Sequence, residues 1–208
     1  MPEAETVAPL PELPERLITV FRAMRGGRHI SRGDGQDYLD LERRTALYEH
    51  VFGALGYVLK HHNQGFFYLE GAGAVRSDRM RAALLFLLIL FQELEERKFQ
   101  RQDRAWERSL LRATFKVTDL PHFQTAQRRS LMAAIELDES KVAQVLTSLE
   151  RLGVIRLLPD AQFGFLPPVY RFIDLCMKYA DDPNWGAAGD VVIVETKPEA
   201  DEETELES

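Results

Sequence analysis

The sequence contains a single cysteine, Cys176, in 208 residues. That excludes an internal disulfide and any metal site built from several thiolates. It has no long apolar run: the longest, residues 82–91, is ten residues, about half of what a bilayer span requires. The start, Met1-Pro2-Glu3-Ala4-Glu5, is acidic and lacks the basic-then-apolar order of a signal peptide. There is no Gly-x-x-x-x-Gly-Lys-Ser/Thr phosphate loop. These absences predict a cytoplasmic chain without a membrane partner and without phosphate-loop ATPase activity.

What is present is enough for a core. Hydrophobic residues make up 45% and aromatics 10% of a length that suits one large domain or two small ones. The net charge of −7 divides unevenly. From Glu195 onward there are seven acids and one lysine, against 26 acids and 25 bases in the remainder. The tail, with few apolar residues, is expected to be disordered. Two readings of it stay open: a solubilising end, or a DNA mimic competing for the protein's own basic surface.

Along the chain, prolines at 2, 9, 11 and 14 predict an extended arm over residues 1–14. Apolar spacing predicts helices over 15–24, stopped by Gly26-Gly27, and over 37–55. Tyr57-Val58-Leu59 and Phe66-Phe67-Tyr68-Leu69 read as strands of a hairpin, with Gly65 supplying the turn. Helices followed by one hairpin outline a winged helix over residues 15–71. Gly71-Ala72-Gly73-Ala74 is the expected break, and Ser77 caps a helix over 78–98 that is apolar nearly all round and therefore central. Residues 99–124 read poorly, with a short strand at 115–117 and a helix from Thr118. Helices over 127–135 and 139–152 follow, the latter with Val142, Val145, Leu146, Leu149 and Leu152 on one face. Burying those five contributes on the order of 10 kcal/mol, an upper estimate that makes the face core. A second hairpin, 154–158 with 163–166, and a helix over 168–179 complete a second winged helix over residues 72–180, before a C-terminal segment, 181–208. The expected fold is mainly α with small β-hairpins, an α+β chain of tandem winged-helix domains.

Several runs stand in order: Arg25-Gly26-Gly27-Arg28-His29-Ile30, Gly65-Phe66-Phe67-Tyr68-Leu69, Leu149-Glu150-Arg151-Leu152-Gly153-Val154-Ile155, Tyr170-Arg171-Phe172 and Asp181-Asp182-Pro183. With them the sequence resembles the MukE-like subunits of bacterial condensins over residues 15–185, its length and acidic end suiting the smaller MksE branch. The resemblance implies a homodimer of two-winged-helix chains. It would embrace a kleisin subunit (MksF/MukF-like) and, through the complex, an SMC ATPase (MksB/MukB-like). It also implies a role in chromosome condensation and segregation or in plasmid restriction, at the nucleoid. Catalysis would lie in the ATPase, so this chain is expected to be no enzyme and to carry no cofactor.

A winged helix presents its last helix to the major groove and its hairpin to the backbone. The candidates are Lys141, Gln144, Thr147, Ser148 and Arg151 on helix 139–152, Arg156 on the next strand, and Arg128 and Arg129 on the preceding helix. Residues 125–156 hold five bases against four acids, so duplex binding should be weak and without sequence preference. An ordinary solvated face is the competing reading. Two further stretches are more basic. One carries Arg22, Arg25, Arg28 and Arg32 without an acid. The other carries Arg97, Lys98, Arg101, Arg104, Arg108, Arg112 and Lys116 against Asp103 and Glu107. Either is a candidate phosphate surface, a solvated face or one side of an intersubunit ion pair. Phe66 and Tyr68, on one face of their strand, and Tyr170 and Phe172 are candidate kleisin or dimer contacts, or plain packing. His61-His62 lacks a third ligand for zinc, and Cys176 lacks a base. The competing function is a stand-alone winged-helix transcription regulator, which would need a strongly basic recognition helix.

Overall fold

A computed structural model describes residues 13–71, 78–96 and 109–180. Residues 1–12 of the expected arm, residues 72–74 of the expected break, Ser77, residues 97–108 of the second basic stretch, Asp181-Asp182-Pro183 and the acidic tail lie outside the described residues. Helices and small antiparallel sheets make the chain α+β.

The first helix, α1 (Leu17–Arg25), buries Val20 and Met24 one turn apart and sets Phe21 against Phe52 and Tyr57. Gly27 ends it at φ +86°, a conformation that costs other residues about 1–2 kcal/mol. A two-residue strand that periodicity does not reveal, β1 (Ile30–Ser31), follows. The helix expected over 37–55 is two helices, α2 (Gln36–Arg43) and α3 (Thr45–Ala54), because Arg44 leaves helical geometry. The Thr45 hydroxyl caps the break by donating to the Leu41 carbonyl at 2.7 Å. Bending there lets Leu41 and the Tyr48–Phe52 pair reach the same core.

Strands β2 (Tyr57–His62) and β3 (Phe66–Gly71) form the hairpin, and β1 pairs with the far side of β3 to give the order β1-β3-β2. Side chains alternate across a strand, so β3 is the seam of the molecule. Phe67 and Leu69 belong to the core of the first half. Phe66 belongs to the second-half core, and Tyr68 packs against it.

The second half begins with α4 (Asp78–Glu96), whose Ala83, Phe86, Leu87, Ile89 and Leu90 are all buried, as the apolar run predicts. Strand β4 (Thr114–Lys116) is followed by two single 3₁₀ turns, Val117–Asp119 and Pro121–Phe123, where a helix is expected. Pro121 is the cause: it restricts its predecessor, and Leu120 is extended with ψ 135°. Thr125 caps α5 (Ala126–Ala134). Asp138 caps a 3₁₀ turn that leads into α6 (Val142–Arg151). Strands β5 (Ile155–Leu158) and β6 (Gln162–Phe165) join β4 in the order β4-β6-β5, and α7 (Val169–Ala180) closes the described chain. Strand, helix, helix, strand, strand thus occurs twice among the described residues.

Candidate nucleic-acid interface

Helix α6 turns Val142, Val145, Leu146 and Leu149 inward and a polar row outward. Gln144 is exposed and Ser148 half-buried. Ser148 donates to the Gln144 carbonyl at 2.9 Å and Thr147 to the Ala143 carbonyl at 2.8 Å, so each hydroxyl proton is used within the helix. The Lys141 ammonium donates to the Glu136 carbonyl at 2.6 Å, which holds its charge beside the helix start without neutralising it. Arg151 and, on β5, Arg156 are exposed. Arg129 is exposed too, donating to the Phe123 carbonyl at 2.8 Å.

Arg128 is different. It sits 2.6 Å from Glu93, both side chains mostly covered at 16% and 13% exposure. The pair ties α5 to α4, and its cation is already balanced.

In the stretch around residues 22–32 one cation is balanced in the same way. Arg28 meets Asp34 at 2.6 Å. Arg32 lies beside the Tyr38 hydroxyl, which with Glu42 raises its pKa above the ordinary value. Arg25 is half-buried at the end of α1. Of the other basic run, Arg112 and Lys116 are described and exposed, whereas Arg101 and Arg104 lie outside the described residues.

Three of the four aromatic candidates are buried. These are Phe66, Phe172 and Tyr170, and Tyr68 is half-buried. Within the chain they pack together, through a feature that no local pattern signals. His29, from the loop after α1, is fully enclosed among Phe66, Tyr68 and Phe172, with ring centroids 5.8–5.9 Å away. Its backbone N–H donates to the Leu152 carbonyl at 3.0 Å, and its Nδ1 lies 3.0 Å from the same oxygen. Nδ1 therefore carries the proton, and Nε2 accepts from the Arg171 guanidinium at 3.0 Å. That guanidinium stands 4.0 Å over the Tyr68 ring. Burial first, and the Arg171 charge second, push His29 down to about 3. Gly153 completes the arrangement: at φ +75°, an added Cβ would lie 2.8 Å from the His29 carbonyl oxygen. At the rim, His62 Nε2 meets an Asp174 carboxylate oxygen at 3.1 Å.

Elsewhere the chemistry is quiet. Burial lifts Cys176 to about 11, which keeps the thiol protonated at neutral pH. His122 stacks on Phe86 at 4.0 Å and donates from Nε2 to the Phe86 carbonyl at 2.8 Å, and burial lowers it to about 4. Among the described residues no three His, Cys, Asp or Glu side chains converge as metal ligands, and no helix is long and apolar enough to cross a membrane.

The residues that meet at His29 come from four of the runs that carry the resemblance: Arg25–Ile30, Gly65–Leu69, Leu149–Ile155 and Tyr170–Phe172. No curated protein matches the chain. The family model described as condensin complex protein MksE matches residues 15–177, which takes in all four runs and both repeats of the element order. The chain belongs to the MksE family of condensin complex proteins.

Proposed function

We propose that this chain is the non-catalytic, kleisin-binding subunit of an MksBEF/MukBEF-like SMC condensin. As a homodimer it helps hold duplex DNA at the nucleoid, for chromosome condensation and segregation or for plasmid restriction. The observation that carries this reading is the family match over residues 15–177, since it spans both helix-and-hairpin units. The repeated strand–helix–helix–hairpin order among the described residues supports tandem winged-helix domains, residues 15–71 and 72–180.

In this reading Gln144, Ser148 and Arg151 of α6 face the duplex, with Lys141, Arg129 and Arg156 at its edges. Arg128 serves the fold through Glu93. Four cations permit about four phosphate contacts, so the log–log salt slope of binding should not exceed about −4. Such binding is weak and gains strength only inside an assembly. Kleisin contact falls to apolar side chains that do reach solvent, Leu55, Val58, Leu157 and Leu158, rather than to the buried aromatics.

The test is copurification with an Mks-type kleisin, followed by DNA retention. Lys141→Glu with Arg151→Glu should lower DNA retention by the complex at least several-fold and leave kleisin binding intact. Equal loss of kleisin binding would move that helix to the protein–protein surface. Nanomolar binding of the isolated chain to one sequence at physiological salt would favour the stand-alone regulator.

A further inference from the structure

The second sheet has an outer face that the core does not use. Across it, Thr114 pairs with Gly164 and Gly164 with Arg156, while Lys116 pairs with Gln162 and Gln162 with Leu158. The intervening positions, Phe115, Phe163 and Phe165, point to the core. Lys116, Arg156 and Thr114 are exposed, and the two central positions, Gly164 and Gln162, are half-buried. None of these six outer positions is acidic. The nearest acids in sequence are Asp160, in the hairpin turn, Asp119, which accepts from the Thr118 hydroxyl at 3.0 Å, and Glu150, whose carboxylate accepts from the Leu157 N–H at 2.8 Å. With neighbouring strands about 4.8 Å apart and about 3.4 Å per residue, Lys116 and Arg156 stand about 12 Å apart, diagonally across the sheet.

The charge that would complement this face lies on the same chain. Residues 13–180 hold 20 acids and 25 bases, whereas residues 181–208 hold ten acids and one lysine. Within the latter, Glu199, Asp201, Glu203, Glu205 and Glu207 occupy alternate positions. Extended, they would share one side at about 7 Å intervals, so carboxylates four residues apart span about 14 Å. That spacing is close to the separation of the two cations.

We propose that the acidic C-terminal segment, residues 195–208, docks in extended form on the outer face of the β4-β6-β5 sheet. Its carboxylates meet Lys116 and Arg156, and in that position it excludes any other polyanion. Reach does not limit the contact. Helix α7 is twelve residues, about 18 Å, and the 14 residues between Ala180 and Glu195 extend to about 50 Å. A tether of this length gives an effective concentration of about a millimolar, enough for a weak electrostatic contact to form within one chain. The inference stands whether or not the chain holds DNA.

The full-length protein is treated with a zero-length carbodiimide, which joins a lysine amine to a carboxylate in contact with it, and the products are mapped by mass spectrometry. Lys116 should couple to carboxylates of residues 199–207 within one chain. The yield should fall several-fold in Arg156→Glu and in about 0.5 M NaCl, where screening reaches a few ångströms. No Lys116–tail product, a yield indifferent to Arg156→Glu, or products joining two isotopically distinct chains would each overturn it. As a second readout, the full chain carrying E199Q, D201N, E203Q, E205Q and E207Q should bind a labelled duplex several-fold more tightly than the unaltered protein. Unchanged binding would overturn the exclusion. Absence of DNA binding in both proteins, with the cross-link present, would sink the DNA role proposed above and leave the docking in place.

Discussion

Replacing His29 with asparagine removes a titrating group from the seam while keeping an N–H near the position of Nδ1. In the native chain His29 is held at about 3, against an ordinary value of 6.5. The unfolded chain therefore binds a proton over the interval from 6.5 down to about 3 that the folded chain refuses. Stability is fully present above pH 6.5, falls as the pH drops, and stops falling below about 3. At about pH 5 the unfolded state gains 1.5 pH units of protonation free energy at this site, which is about 2 kcal/mol. His122, lowered to about 4, has the same sign and a similar size at that pH. The native protein should thus lose about 4 kcal/mol between pH 7 and 5 from the two histidines, and His29→Asn should lose about half of that. At pH 7 the variant starts lower by about 1–3 kcal/mol, since it gives up a ring packed among three others. Urea unfolding midpoints at several pH values measure both quantities. Parallel loss of stability in the two proteins would refute the placement of a neutral, enclosed imidazole at the seam.

Two backbone positions test the turn geometry. Gly153→Ala should destabilise by at least about 2 kcal/mol, from a left-handed φ and a contact of 2.8 Å with a backbone carbonyl that has no slack, read as a lowered thermal midpoint. A variant as stable as the parent would show that the His29 loop can retreat. Ala161→Gly should do the reverse. Asp160 and Ala161 both stand at positive φ, 59° and 50°, in the β5–β6 turn, and relieving alanine there should raise stability by about 1 kcal/mol in urea. A loss of stability would mean that the turn gains more from chain stiffness than it spends on strain.

Helix faces and hairpins were legible because each is a local pattern. The apolar run of α4 and the five-residue stripe of α6 lead directly to buried side chains. What escaped was decided by partners distant in sequence or by a single residue. Arg44 and Pro121 each interrupt a helix whose apolar spacing carries on, or whose composition permits it. Strand β1 is two residues long and exists because β3 offers it an edge. Charge counts along the chain are blind to pairing in the same way. Arg28 finds Asp34 just beyond the window counted, and Arg128 finds Glu93 35 residues away. Alternation along Phe66-Phe67-Tyr68-Leu69 correctly puts rings on both sheet faces, but it is silent on whether the second face meets water or the rest of the chain.

That second face is where four of the runs that carry the resemblance meet. Those runs supply His29, Phe66, Tyr68, Leu152, Gly153, Arg171 and Phe172, all within the seam, and few of the exposed polar positions of α6 or β5. A buried guanidinium held by a neutral imidazole and an aromatic face is costly to desolvate, and burial lowers the pKa of Arg171 accordingly. Its return is directional: the histidine tautomer, the glycine and the ring stack each accept one relative placement of the two halves. Hydrophobic packing alone would tolerate several. If the chain works as a clamp subunit, fixed spacing between its two hairpin units matters more than the strength of either surface, because a partner that touches both gains by linkage and one that touches a single unit does not. The surface charges can then stay few.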